Sequence, residues 1–210
     1  MEQFKLSQNY IDHFNKLGVD IKNRILEFKK VPKEEYFYEL CYCILTPQTK
    51  AVNAELAIYK LKNNGFKYKE IDVNSILRDP ENYIRFHNVK TNRLLIIKEK
   101  WNIIDEIISS NKINEFDKRA WLIDNVLGMS WKESSHFLRN IGFHKLSIID
   151  RHILKHLLNC GVINELPKNL TKKKYLEIEE KFRNLANNVG LSMQELDLLF
   201  WSYEEGSVRK

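Results

Sequence analysis

Between residues 94 and 108 the apolar side chains Leu94, Ile97, Trp101, Ile104 and Ile108 recur at steps of three, four, three and four. That spacing winds one continuous stripe along a 3.6-residue helix and does not fit a strand, whose faces alternate every second residue. The rhythm returns along most of the chain. Tyr10, Phe14 and Leu17 share a face, as do Ile21, Ile25 and Phe28, then Phe37, Leu40 and Ile44, and later Tyr175, Ile178, Phe182, Leu185 and Val189. Breakers are scarce, with 7 Gly and 4 Pro in 210 residues. Those present fall where a helix should stop: Pro47 after Thr46, and Gly65 after the stripe Ala54, Ile58, Leu61. Asp117 is placed to N-cap a helix carrying Trp121, Leu122 and Val126, and Ser192 with Glu195 forms a capping-box pattern before Leu196, Leu199 and Phe200. No segment alternates with period two and none repeats. The expectation is an all-α chain of about ten helices.

Hydrophobic residues at 43% suffice for one large core or two small ones, and charged residues at 30% are ordinary for a globular chain. The opening MEQFKLSQNYIDHF has neither the apolar run nor the small-residue cleavage site of a secretory signal. No apolar run approaches the roughly 18 residues of a membrane span. Cys41, Cys43 and Cys160 form no regular framework, which points to a reducing cytoplasm and leaves no cysteine-ligated zinc or iron–sulfur cluster to expect. His152 and His156 are spaced i, i+4 but lack a third ligand, so no metal is expected. A formal net charge of +6 favours a polyanionic partner such as nucleic acid, while the run Lys172–Lys174 reads as a solvated helix start.

The chemistry-bearing stretch is GMSWKESSHFLRN, from Gly128, followed by SIIDRHI, from Ser147. One helix ends at Gly128, the connection Met129-Ser130-Trp131 is very short, and a second helix begins near Lys132. So tight a turn exposes backbone N–H groups that suit a phosphate oxygen, although an ordinary helical corner has the same pattern. A lysine in a first helical turn opposes the macrodipole, which favours the neutral amine that a nucleophile must be. The dipole supplies at most ~2 kcal/mol of the roughly 4 kcal/mol that a free lysine needs at pH 7, so burial or substrate must supply the rest. Asp150 precedes the apolar face Ile153, Leu154, Leu157 and Leu158, and an aspartate there caps its helix for ~0.5–2 kcal/mol. The same fixed negative charge could stabilise a cationic sugar or assist proton transfer. Capping and catalysis are compatible.

These two segments resemble the helix-hairpin-helix and Gly/Pro…Asp signature of the endonuclease III superfamily of DNA repair glycosylases, and within it the archaeal-type (type 2) 8-oxoguanine DNA glycosylase/AP lyases. LCYCILTPQTKA, from Leu40, and RFHNVKTNRL, from Arg85, are similar to two further recurring segments, and the likeness runs essentially end to end. Ser130 stands where the hairpin often has a second glycine and Leu127 where proline is common, but the lysine and aspartate stay in register. The missing cysteine cluster separates the chain from endonuclease III itself, and Lys132 separates it from monofunctional relatives.

The resemblance implies a helix-hairpin-helix glycosylase fold with two helical domains flanking a DNA-binding cleft. Residues 1–35 with 147–210 would form one domain, and residues 36–146 the other. It assigns Lys132 as nucleophile and Asp150 as its essential carboxylate. Gln48 would fill the gap left by a flipped base, Phe86 and Trp201 would sandwich that base, and the terminal carboxylate of Lys210 would approach it. Gly128, Ser130, Asn88, Lys90 and Arg151 would touch the DNA backbone. The partner implied is double-stranded DNA containing 8-oxoguanine, with no cofactor, no membrane and no obligate protein partner. Two other readings stay open: the same fold acting on another damaged base, and a non-enzymatic helix-hairpin-helix DNA-binding module. Gripping phosphate requires neither Lys132 nor Asp150, which favours an enzyme.

Overall fold

The apolar stripes do become helices. The computed structural model describes residues 5–208 and contains, among them, ten α-helices, two short 3-10 turns and no strand. The helices are α1 (Gln8–Lys29), α2 (Tyr36–Leu45), α3 (Ala51–Asn63), α4 (Val73–Arg78), α5 (His87–Ser109), α6 (Glu115–Asn125), α7 (Trp131–Asn140), α8 (Arg151–Asn159), α9 (Lys172–Val189) and α10 (Met193–Glu205). The chain divides into a terminal unit, residues 1–31 with 138–210, and a central unit, residues 32–137. The second boundary therefore falls inside α7, earlier than the loop near 146 where the sequence suggested it.

In the central unit α2 is the core helix. Every residue from Leu40 to Leu45 is buried, because neighbours cover it on all sides. Phe37 meets Phe66 and the edge of Trp101 on α5. The Leu94–Ile108 stripe of α5 lies in this core as its spacing requires. Lys118 at the start of α6 donates to the Ile108 carbonyl at the end of α5 (2.7 Å), satisfying a group that the helix leaves without an internal partner.

In the terminal unit α1 packs along α10. Tyr10 of α1 sits against His156 of α8 and against Phe200 and Tyr203 of α10, and its hydroxyl lies 2.6 Å from His156 Nδ1. The capping box of α10 forms as its sequence specifies: Glu195 N–H donates to Ser192 Oγ and Ser192 N–H to the Glu195 carboxylate. One cap differs. Asn114, not Asp117, caps α6, its Oδ1 accepting from Phe116 and Asp117 N–H, while the Asp117 carboxylate accepts from Asn114 Nδ2 at 2.6 Å.

Candidate active site

The hairpin is built from α6, residues 126–130 and α7. Met129 N–H closes a turn onto the Val126 carbonyl, and Met129 is buried while Leu127 is exposed. Gly128 has φ +96°, which favours glycine, and a Cβ there would come within 2.8 Å of the flexible end of the Arg93 side chain from α5, which would have to move aside. Arg119 of α6 is only 1% exposed, lies over the Trp131 ring (4.8 Å) and donates to Ser135 Oγ (3.1 Å), tying the two hairpin helices together. Ser130, in place of the second glycine, has its carbonyl take the first α7 bond from Ser134 N–H (2.9 Å), while its hydroxyl donates to Glu133. Lys132 thus stands in the first turn of α7, its side chain 35% exposed and its Nζ 3.9 Å from Glu133 Oε1. The ammonium is neither buried nor closely paired, and it sits where exposed backbone N–H groups repel a cation.

Asp150 caps α8 as its spacing specifies. Its Oδ1 accepts from both His152 and Ile153 N–H at 2.9 Å, which leaves Oδ2 outside the cap. The extended segment that delivers it is itself fixed. Ser147 N–H donates to Glu179 Oε1, the Tyr175 hydroxyl donates to the Ser147 carbonyl, and Ile149 N–H donates to that same hydroxyl. Gln194 Nε2 holds the Phe143 carbonyl at 2.8 Å. Three side chains, Tyr175 and Glu179 from α9 and Gln194 from α10's first turn, thus set the register that puts an aspartate at the start of α8.

Around Asp150, His152 meets the edge of Trp201 at 5.6 Å, so the cap and the expected stacking ring share one neighbour. The Trp201 indole N–H is buried with no hydrogen-bond partner among the described residues. Arg151 is exposed, donating from Nε to His152 Nε2 (3.2 Å). Asp197, one turn before Trp201, is buried 3.5 Å from the Arg139 guanidinium. Burial pushes its carboxyl up to about 6, against the pull of Arg139 and with the help of the Asp150 charge. This buried pair escaped the sequence reading. Lys210 lies outside the described residues.

In the central unit Gln48 and Phe86 share a conformational oddity: they are the non-glycine residues with positive φ, +56° and +61°. Such left-handed geometry costs a side-chain-bearing residue about 1–3 kcal/mol and persists only where its surroundings hold it. Gln48 is exposed on the turn closed by Thr49 N–H and the Thr46 carbonyl. Phe86 is 50% exposed at the entry to α5, with the Arg85 guanidinium 4.9 Å over its ring. Asn88 is exposed and its Oδ1 accepts from Asn74 Nδ2 (2.9 Å).

Lys90 is a correction. Expected on the DNA backbone, it is 2% exposed, and its ammonium donates to the Leu45 carbonyl (2.8 Å), the Pro47 carbonyl (2.8 Å) and Thr49 Oγ1 (3.0 Å). All three hydrogens are used, so none remains for a phosphate. Burial, with the nearby Arg93 charge, pushes the amine down to about 8. The sequence did carry a signal: Lys90 lies four residues before Leu94, on the α5 stripe that faces the core. Elsewhere, burial raises the Cys41 thiol far above its usual range and pushes Cys160 up to about 11, which makes both poor nucleophiles. No three His, Cys, Asp or Glu side chains converge to hold a metal among the described residues.

An all-helical chain with this hairpin and a lysine at its second helix has the helix-hairpin-helix DNA glycosylase fold. The model of the family described as "8-oxoguanine DNA glycosylase" (Ogg-HhH) matches residues 21–191. A Fusobacterium nucleatum protein named 8-oxoguanine DNA glycosylase/AP lyase is 42% identical, over 94% of each chain. A Methanocaldococcus jannaschii protein of the same name is 38% identical over 90% of this chain and 91% of its own. Among solved structures, the M. jannaschii glycosylase/lyase in complex with a 15mer DNA containing 8-oxoguanine superposes with a TM-score of 0.83 at 34% identity, covering 95% of this chain and 99% of its own. The Thermotoga maritima 8-oxoguanine DNA glycosylase gives 0.85 at 29% identity and 97% of each chain. The chain belongs to the 8-oxoguanine DNA glycosylase family.

Proposed function

We propose that this protein excises 8-oxoguanine from double-stranded DNA and then cleaves the abasic strand through a Schiff base on Lys132. The observation that carries the reading is the presence, in one chain, of both a part-exposed lysine in the first turn of the hairpin's second helix and a capped aspartate whose second oxygen is free of the cap. Identity of 42% to a relative named for both activities supports it.

The residues fit the chemistry in sequence. The lesion is stacked inside the duplex, so it must first be flipped out, at a cost of a few kcal/mol. Gln48, exposed at a protruding turn, fills the vacated space, and Phe86 and Trp201 offer ring faces, each worth ~1–3 kcal/mol in stacking. Hairpin N–H groups at Gly128 and Ser130 grip a phosphate, with Asn88 and Arg151 adding contacts to the backbone. The Lys132 amine attacks C1′, the C1′–N bond breaks, and its electron pair leaves with the base, which takes up a proton. Opening of the sugar gives the C1′=N Schiff base. Loss of a C2′ proton then expels the 3′ phosphate by β-elimination. Asp150 stabilises cationic character on the sugar and helps to deprotonate the amine. A cytoplasmic location with the DNA follows from this role and suits three free cysteines.

The test is a duplex carrying one 8-oxoguanine, assayed for free base and for strand scission. Wild type should release 8-oxoguanine and leave a 3′ unsaturated aldehyde. Asp150→Asn keeps a competent N-cap, so it should fold normally yet lose about 10²-fold or more in base release. Equal excision of a different base, or an Asp150→Asn protein that excises normally, would contradict the assignment.

A further inference from the structure

We infer that Lys90 is the positioning residue for base extrusion: its buried ammonium clamps the turn that holds Gln48 in its left-handed, outward conformation. The inference rests on the proposed role of Gln48. Its geometry stands independently. The three acceptors of Lys90 bracket Gln48 in the chain: the Pro47 carbonyl immediately before it, Thr49 Oγ1 immediately after it, and the Leu45 carbonyl where α2 ends. A residue at φ +56° without glycine's freedom would relax to ordinary backbone unless something held the turn on both sides. Lys90 does this from a single point, and no donor is left over for another partner.

Lys90 is also joined to the other strained residue. Its own N–H donates to the Phe86 carbonyl (3.0 Å), the first bond of α5, and Phe86 sits at φ +61°. One residue therefore links, through backbone on one side and ammonium on the other, the two positions where this unit holds a side-chain-bearing residue at positive φ. The Leu45 carbonyl is an orphan acceptor at a helix C-terminus, where a cation is favoured, which explains why a lysine is tolerated in the core. Burial lowers the amine's proton affinity without removing its donors, since even a neutral amine keeps two.

The experiment separates extrusion from later chemistry. Single-turnover rates are measured on an 8-oxoguanine duplex, which requires flipping of a stacked base, and on a preformed abasic duplex, which does not. Lys90→Met preserves length and apolar fit while removing the donors. It should slow excision about 10- to 100-fold and leave abasic-strand cleavage within about twofold of wild type. A 2-aminopurine beside the lesion should lose its unstacking signal in step with excision. Combined with Gln48→Ala, Lys90→Met should add nothing, because both remove the same wedge. Additive losses, or equal losses on the two substrates, would overturn the inference in favour of a purely structural lysine. If Gln48→Ala alone leaves excision unchanged, it is the role of Gln48 that fails, whatever Lys90→Met does. Should Lys90→Met not fold, Thr49→Val removes one acceptor of the clamp and should reproduce the selective loss at about two- to fivefold; an unselective or absent effect counts against the clamp.

Discussion

At the residue scale the informative groups are those whose surroundings change what their type suggests. The N-cap reading of Asp150 needed no correction, because an aspartate before an apolar helix face is a cap by its own chemistry, and its Oδ1 is engaged as expected. Lys90 was misread because its type outweighed its spacing; the stripe Lys90, Leu94, Ile97 puts it inward. Asp197 was invisible, since only the fold brings Arg139 to it. Its titration has a consequence. The carboxyl moves from an ordinary 3.8 to about 6, so between these values the folded chain holds a proton that the unfolded chain has lost. Stability linked to that proton is complete below the lower value and is lost as pH rises through the upper one. Asp197→Asn removes the linkage. In urea denaturation the variant should gain on wild type by up to about 3 kcal/mol between pH 4 and pH 7. Parallel stabilities over that range would show Asp197 to be unperturbed.

At the scale of elements the sequence was most legible where periodicity and punctuation agree. α2 stops before Pro47, α10 starts with its capping box, and α5 follows its stripe. It was less legible at the hairpin. α6 starts at Glu115 because two capping residues, Asn114 and Asp117, compete three positions apart and Asn114 takes the cap. It ends at Asn125, before the glycine, because the Val126–Met129 turn intervenes. That turn depends on Gly128, where φ +96° disfavours any side chain and a Cβ would also push the end of the Arg93 side chain aside. Gly128→Ala should lower the urea-derived stability by about 1–3 kcal/mol and weaken duplex binding. Adding Arg93→Ala should restore only the part due to crowding, since the backbone strain remains. An unchanged Gly128→Ala protein with full DNA affinity would remove the hairpin from the binding surface.

At the scale of the whole molecule the chain's two ends form one unit and its middle the other. No residue marks the passage between Phe137 and Leu138, because a helix running through a boundary carries no breaker there, whereas the boundary expected from the resemblance lay near residue 146. Net charge of +6 suits a polyanion without naming one, and only the hairpin lysine and the capped aspartate turn a basic helical protein into a candidate lyase. Lys132 is therefore the residue on which the proposed lyase chemistry rests. The direct measurement is borohydride trapping on a duplex carrying 8-oxoguanine, with an abasic duplex alongside. Reduction of the Schiff base should leave wild type covalently joined to DNA and Lys132→Gln free of it. No adduct with wild type on either duplex, or an adduct that survives Lys132→Gln, would contradict the assignment of Lys132 as nucleophile.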